Sequence, residues 1–302
     1  KKMEKKPLLS IVSPVYNEEE CVAEFLNRVE NTTKKLECDY EIIIVNDSST
    51  DSTENIITKI CEKNSKIKLI NLSRNYSHQP ALLCGLMNTK GDFVISLDSD
   101  LQDPPELILK IYENLKSKKF EIVNTKRVSR SGENIVKKFL INVFYFLSSF
   151  FLAKEIKYQV GDYRGVNRRV LNLILNQKNN FFYRSIVSQI GFNQICIDYD
   201  REKRFKGESK INLIGLIKFA LSGIFTSGFA PMTLILFLFI FQSLIFIIYI
   251  VFGSLNSLNL ILVLLNFTLI LSFLILFQYL KNIINIVNNK PLYLIKNKIN
   301  FD

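Results

Sequence analysis

The 302 residues include no tryptophan and a single histidine, His78. One imidazole excludes a multi-histidine zinc centre. The five cysteines, Cys21, Cys38, Cys61, Cys84 and Cys196, are odd in number and form no C-x-x-C pair. That excludes a disulfide scaffold and fits thiols kept as small buried hydrophobes in a reducing compartment. The largest absence is of charge. Between Lys218 and Lys281, 62 consecutive residues contain no Asp, Glu, Lys, Arg or His. A helix of that length would run about 93 Å, against a hydrocarbon core of roughly 30 Å. One span cannot use it, but two can, and the polar stretch Gly253–Asn259 marks the break. The expectation is two transmembrane helices, at about 231–252 and 260–280 within a segment 230–281, followed by a tail over 282–302. The less apolar stretch 211–229 reads as an interfacial amphipathic helix.

Elsewhere the chain is basic, with 39 Lys and Arg against 28 Asp and Glu. Lys203, Lys206, Lys210 and Lys218 precede the hairpin, and Lys281, Lys290, Lys296 and Lys298 follow it. Positive flanks at both ends place both on the cytoplasmic side of an inner membrane crossed twice. Membrane flanks and phosphate substrates account for the charge, so no nucleic-acid partner is expected; no aromatic-basic platform stands out. A hydrophobic content of 48% excludes an intrinsically disordered chain.

The first half alternates short apolar runs with helical periodicity. Strands are expected at Leu8–Val15, Glu41–Val45, Ile67–Leu72, Phe93–Leu97 and Glu121–Thr125. Helices are expected at Glu18–Thr33, Asp51–Ile60, Gln79–Asn88 and Pro105–Leu115, the last opened by its proline. This order predicts an α/β domain over 1–210 with a mostly parallel sheet covered on both faces. Ligands of such sheets bind beyond the carboxyl ends of the strands. Three polar clusters fall there: Tyr16-Asn17-Glu18, Asn46 to Asp51, and Asp98-Ser99-Asp100. Two carboxylates at i and i+2 after a strand can converge on one divalent cation, whose shell is completed by water and phosphate oxygens. Such an ion holds a diphosphate and neutralises it as it leaves. The apolar stretch Leu140–Leu152 is too short to span and has lysines at both ends. It reads as an interfacial helix over about 137–153, or as core. Lys126 to Gly132 is a basic loop suited to phosphate, and His78 reads as a helix-start residue bonded to backbone.

These residues resemble those of family 2 glycosyltransferases with the Rossmann-like GT-A fold. The resemblance rests on Pro14-Val15-Tyr16-Asn17-Glu18, on Asp47–Asp51 and on Asp98-Ser99-Asp100. Within that family the chain is most similar to the polyisoprenyl-phosphate glycosyltransferases, the group of dolichyl-phosphate mannose synthase and the bactoprenol glucosyltransferases. Four longer motifs carry this: Ser73–Gln79, Asp98–Glu106, Gly161-Asp162-Tyr163-Arg164, and Arg204–Lys210. The resemblance implies inverting transfer of one sugar, UDP-glucose being the first candidate donor, to undecaprenyl or another polyprenyl phosphate. It implies Mg²⁺ or Mn²⁺ as cofactor, a bilayer as setting, and a homo-oligomer up to a tetramer. Pro14, Tyr16, Glu18, Asp47, Asp98 and Ser99 would bind the nucleotide. Asp98, Asp100 and Gln102 would hold the metal. Arg127, Arg130, Arg204, Ser209 and Lys210 would grip phosphates and acceptor. Asp162 would stand at the sugar and acceptor side, as base, as a hydroxyl-orienting group or paired with Arg164. The sequence departs from the family at Asn46 and Ser48, where a carboxylate and a glycine are usual. A modified amino-sugar or GDP-mannose as donor, and a non-catalytic flippase partner, remain alternatives. Processive polysaccharide synthases carry a Q-x-x-R-W motif, which a chain without tryptophan lacks.

Overall fold

The computed structural model describes residues 6–128, 160–176, 181–202, 230–252, 258–288 and 291–301. The interfacial helices expected at 137–153 and 211–229 lie outside them, as do Arg130, Arg204, Ser209 and Lys210. The chain divides into two units. The first contains an eight-stranded sheet: β1 Leu8–Val15, β2 Asp39–Asn46, β3 Ile67–Leu72, β4 Phe93–Ser96, β5 Ile122–Arg127, β6 Val160–Asn167, β7 Gln194–Tyr199 and β8 Ile295–Ile299. Its order is β7-β5-β6-β4-β1-β2-β3-β8. The central strands β4, β1, β2 and β3 are parallel. Strand β6 runs antiparallel to both β4 and β5, and β8 antiparallel to β3. The sheet is therefore more mixed than the alternating pattern predicts.

Side chains on β2 alternate between two cores. Ile42 and Ile44 meet Val22, Phe25 and Leu26 of α1 (Val22–Thr33) and Ile57 of α2 (Thr53–Lys63), on the face that also carries α4 (Leu107–Lys116). Ile43 and Val45 point the other way, into the core formed with α3 (His78–Met87), α5 (Arg168–Leu175) and α6 (Tyr183–Gln189). A strand buried on both faces needs an unbroken apolar run, and β2 supplies one. Each such side chain contributes about 1.5–3 kcal/mol relative to exposure. Helix α4 begins two residues later than expected, because Pro104 and Pro105 form the turn that leads into it.

The expected tail carries a strand that the sequence reading did not assign. Residues 295–299 form the edge strand β8, registered on β3 with Leu69 opposite Ile299 and Ile70 opposite Lys298. Asn300 donates through Nδ2 to the carbonyls of Cys61 and Ile67, both at 2.8 Å. Lys296 is exposed on this edge, where charge discourages further strand pairing.

The second unit contains α7 (Ala230–Phe252) and α8 (Leu258–Val287). Both are long and apolar enough to cross a membrane. Their large apolar side chains are exposed, among them Phe237, Phe246, Phe267 and Phe277. Helix α8 continues past the expected end at 280; its 30 residues span about 45 Å. The hydroxyls of Thr268 and Ser272 bond back to carbonyls of their own helix, so these polar groups are satisfied within it.

Helix α3 lies close on β1 and β2 because Gly85 has no side chain. A Cβ there would overlap Val12 Cγ1 and lie 3.0 Å from Val45 Cγ2, both β-branched and fully buried. Gly85→Val is expected to destabilise the sheet unit by about 1–3 kcal/mol. A lowered thermal midpoint by circular dichroism checks this.

Candidate active site

The first wall of the site is built where β1 and β2 end. Asn17, at φ 54°, turns the chain out of β1. Its main-chain N–H donates to Ser49 Oγ at 2.9 Å, and its Oδ1 accepts from the Thr50 N–H at 2.7 Å. The Glu18 N–H donates to Thr53 Oγ1 at 2.8 Å. Ser99 Oγ donates to the Pro14 carbonyl at 3.3 Å, tying the loop after β4 to the end of β1. Pro14, Tyr16, Glu18, Asp47 and Ser99 are thus gathered at one end of the sheet, as expected. Asp47 is nearly fully buried and accepts from the Tyr76 N–H at 2.7 Å. Burial outweighs the main-chain donors and pushes its pKa up to about 6.

The two departures from the family pattern have local explanations. Ser48 has φ 60°, the left-handed region that glycine enters without steric cost. Asn46 is fully buried; its Oδ1 accepts from the Ser49 N–H at 3.0 Å and its Nδ2 donates to Asn71 Oδ1 at 2.9 Å. Asn71 in turn donates to Glu54 Oε1 at 3.0 Å and to Asn297 Oδ1 at 2.8 Å. A carboxylate at position 46 has no proton to donate to Asn71, whereas the amide satisfies both neighbours.

The second wall is acidic. Asp98, Asp100 and Asp103 follow β4, and Leu101 turns the chain between them at φ 58°. Burial opposes the charge on Asp98, but the hydrogen bond from His78 and nearby cations outweigh it and hold the carboxyl well below the usual carboxylate range. Asp100 moves the other way, raised by burial and by the neighbouring charges of Asp98 and Asp103. Its Oδ1 accepts from the Gln102 N–H at 3.1 Å, and Arg201 Nη2 stands 3.9 Å from its Oδ2. Gln102 also accepts through its carbonyl from the Glu202 N–H at 3.0 Å. Arg28 then bridges Glu202 to Glu106 across the same loop.

Arg127 is spent differently from its expected role. Its Nη2 donates to Asp103 Oδ2 at 3.0 Å and its Nε to Tyr199 Oη at 3.0 Å, while Tyr199 donates to Asp103 Oδ1 at 2.5 Å. Asp103 is 1% exposed, so this triad neutralises a buried charge and braces the acidic loop. Asp162 on β6 takes a fork from Arg184 on α6, Nε to Oδ1 at 3.0 Å and Nη2 to Oδ2 at 3.1 Å. Burial alone would raise Asp162, but Arg184 and His78 outweigh it and keep the carboxyl below its ordinary value. The expected pairing with Arg164 gives way to this one. Arg164 donates to the Gly161 carbonyl at 2.6 Å and lies over the Tyr183 ring. A strongly ionised carboxylate clamped by a guanidinium is a poor base.

His78 opens α3 as expected but does not bond to backbone. Its Nε2 lies 2.9 Å from Asp98 Oδ1. Burial disfavours its cation, yet Asp98 and Asp162 together raise its proton affinity above that of an ordinary histidine. Sequence reasoning missed Arg184, Arg201, Asp103 and Tyr199. Asp103 lies within the Asp98–Glu106 motif without an assigned role, and no motif covers the other three, because each acts on a partner far away in the chain.

The donor set at Asp98 and Asp100 is oxygen-only. Among the described residues no group of three or more His, Cys, Asp or Glu side chains is arranged to enclose a metal. The crowding that raises Asp100 is what a divalent cation relieves. Two carboxylates fit Mg²⁺ or Mn²⁺, which complete their shells with phosphate oxygens and water.

Residues 10–175, more than half of the chain, match the family described as glycosyl transferase family 2. The chain belongs to glycosyl transferase family 2. An uncharacterized glycosyltransferase of Synechocystis is 36% identical over 83% of this chain and 79% of its own length. The SfII prophage-derived bactoprenol glucosyl transferase of Shigella flexneri is 31% identical over 95% of this chain and 97% of its own. Among solved structures, glucosyl-3-phosphoglycerate synthase from Mycobacterium tuberculosis, in complex with Mn²⁺, UDP-glucose and phosphoglyceric acid, superposes with a TM-score of 0.50. That match has 18% identity, covers 73% of this chain and 78% of the other, and shows the fold. The first unit of this family 2 glycosyltransferase is accordingly of the GT-A type.

Two stability predictions follow from the family 2 site. Asp47 binds its proton more tightly when folded, with a pKa of about 6, than when unfolded, near 4. Stability therefore falls as pH rises through that window, and the full penalty is present above it. Asp47→Asn is expected to raise the thermal midpoint at pH 7.5 but not at pH 4, by an amount on the order of 1–2 kcal/mol after solvent screening. Arg127→Met is expected to cost about 3 kcal/mol by removing the nearest cation from buried Asp103, which keeps only the Tyr199 hydroxyl and the more distant Arg201 Nε at 3.9 Å. Arg127→Met with Asp103→Asn should recover part of that loss in the same melt.

Proposed function

We propose that this glycosyltransferase moves one sugar, in the first instance glucose from UDP-glucose, to a polyprenyl phosphate at the cytoplasmic face of the inner membrane. The observation that carries the reading is the 31% identity, over 95% of the chain, to a bactoprenol glucosyl transferase. The acidic cluster at the carboxyl end of the sheet supports it, because it suits a cation-held nucleoside diphosphate. The two apolar helices supply a means of meeting a lipid substrate.

A phosphate monoester has a second pKa near 6 and is largely a dianion at neutral pH. It is a nucleophile without further activation. One of its oxygens attacks the anomeric carbon from the face opposite the nucleotide, and the bond from that carbon to the diphosphate breaks. The configuration inverts, and no proton has to be removed. The protein's work is position and charge neutralisation. Pro14, Tyr16, Glu18, Asp47 and Ser99 hold the nucleoside. Asp98 and Asp100, with Gln102 beside them, would hold Mg²⁺ or Mn²⁺, which neutralises the departing diphosphate. Asp162, fixed by Arg184, orients the sugar or the incoming phosphate rather than acting as a base. Arg130, Arg204, Ser209 and Lys210 belong to basic segments suited to the acceptor phosphate.

The test is transfer into an organic phase. Purified protein is mixed with undecaprenyl phosphate, Mg²⁺ or Mn²⁺, and labelled UDP- and GDP-sugars. Metal-dependent label from UDP-glucose is expected, and Asp100→Ala is expected to reduce it at least 100-fold without lowering the thermal midpoint. Label from another donor alone would reassign the sugar. No transfer from any donor by a folded protein would overturn the reading.

A further inference from the structure

His78 and its neighbour Gln79 join two carboxylates of the acidic site. His78 Nε2 is 2.9 Å from Asp98 Oδ1. Its Nδ1 is 3.3 Å from Gln79 Nε2, and the same Gln79 nitrogen donates to Asp162 Oδ2 at 3.2 Å. The orientation of the Gln79 amide is fixed independently, because its Oε1 accepts from the Tyr183 N–H at 2.9 Å. With the oxygen so occupied, the NH₂ group faces both His78 and Asp162. It can only donate, so Nδ1 has to accept. The ring proton then belongs on Nε2, where it is given to Asp98. Every donor in this chain has an acceptor, and every direction is forced by the one before it.

We propose that His78 is a positioning residue of the transfer reaction: as the Nε2–H tautomer it locks the Asp98 carboxylate and, through Gln79, joins it to Asp162. The inference rests on the glycosyltransferase reading above. Asp98 has two oxygens, and without the imidazole its Oδ1 would be free to swing toward Asp100 or solvent. With it, one oxygen is held and the other is presented at a fixed angle. Ser77, just before His78, has φ 76° and ψ 167°, a region that only glycine enters readily. A non-glycine residue there costs on the order of 1–3 kcal/mol and persists only where surrounding contacts over-determine it. The backbone is thus strained at the point where the imidazole is delivered.

Two measurements test the role. His78 is the only histidine of the chain, so ¹⁵N-histidine labelling of the untagged protein gives a single imidazole to observe. At pH 8 the shifts are expected to show a protonated Nε2 and a bare Nδ1. A protonated Nδ1, whether as the other tautomer or as the imidazolium, would overturn the proposal. The second measurement is kinetic. His78→Ala is expected to lower kcat 10- to 100-fold, as lost support of a ligating group commonly does, while KM for the nucleotide sugar stays within about threefold. His78→Gln, whose amide can still donate to Asp98, is expected to recover most of the rate. A kcat within twofold of wild type for His78→Ala, a loss confined to KM, or a Gln variant no better than the Ala variant would each overturn it. UDP binding and the thermal midpoint identify a variant that fails to fold, in which case the ¹⁵N shifts of the wild type decide. Wild-type protein inactive with every donor would bring down the transferase reading, and the same shifts would still decide the position of the proton.

Discussion

Asp98, Asp100 and Asp103 after β4 crowd toward Asp162 on β6, and a low-dielectric site tolerates that much negative charge only where cations or hydrogen-bond donors are built in beside it. Asp98 has His78, Asp103 has Arg127, Asp162 has Arg184, and Arg201 stands near Asp100. These partners come from the start of α3, from β5, from α6 and from the segment after β7, so elements far apart in the chain are tied together by this balance. The pairing of β4 with β6 sets the geometry. Ser96 lies opposite Arg164 in the ladder, and its hydroxyl donates to the Asp162 carbonyl at 2.6 Å. That register brings a carboxylate from an antiparallel strand beside the pair that follows a parallel one. Asp100 differs from Asp98 and Asp162 in that burial and the charges of Asp98 and Asp103 raise its pKa rather than lower it.

Much of this was legible in the sequence, and the limits have physical causes. Strands β1 and β3 match their expected ranges to the residue, because both are apolar runs bounded by polar turns. The acidic pair after β4 was readable because a parallel strand ends in a ligand-facing loop. Strand β6 was not readable as a strand. It carries Asp162 and Arg164 into the interior, and no rule of periodicity puts two charges in a core. Strand β8, Ile295–Ile299, sets Lys-Asn-Lys between two isoleucines and resembles a basic tail until its partner β3 is known. The role of His78 was lost for a similar reason: its partner Asp98 is 20 residues away, joined only by the fold. Ser48 is the converse case. The family's glycine suggests a special backbone there, and the left-handed φ of Ser48 is that backbone.

The amide chain Asn46–Asn71–Asn297 links the end of β2 to the edge of the sheet. It passes through Glu54 on α2 as well. A loss at position 297 would therefore be felt at position 46, although the two are separated by almost the whole chain. This gives the edge strand a second duty: besides closing the sheet, it fixes the amide that supports the Asp47 turn.

The place of β8 in the chain also constrains synthesis. Ribosomes make the strands in order, and β8 follows both apolar helices. The sheet unit is left with an open β3 edge, and Asn71 without its Asn297 partner, until α7 and α8 have emerged. Completion of the sheet unit thus waits on the synthesis of the two apolar helices. A chain that stalls within the helices presents an unfinished edge to chaperones and proteases, which gives the cell a way to discard molecules whose helices have not been fully made.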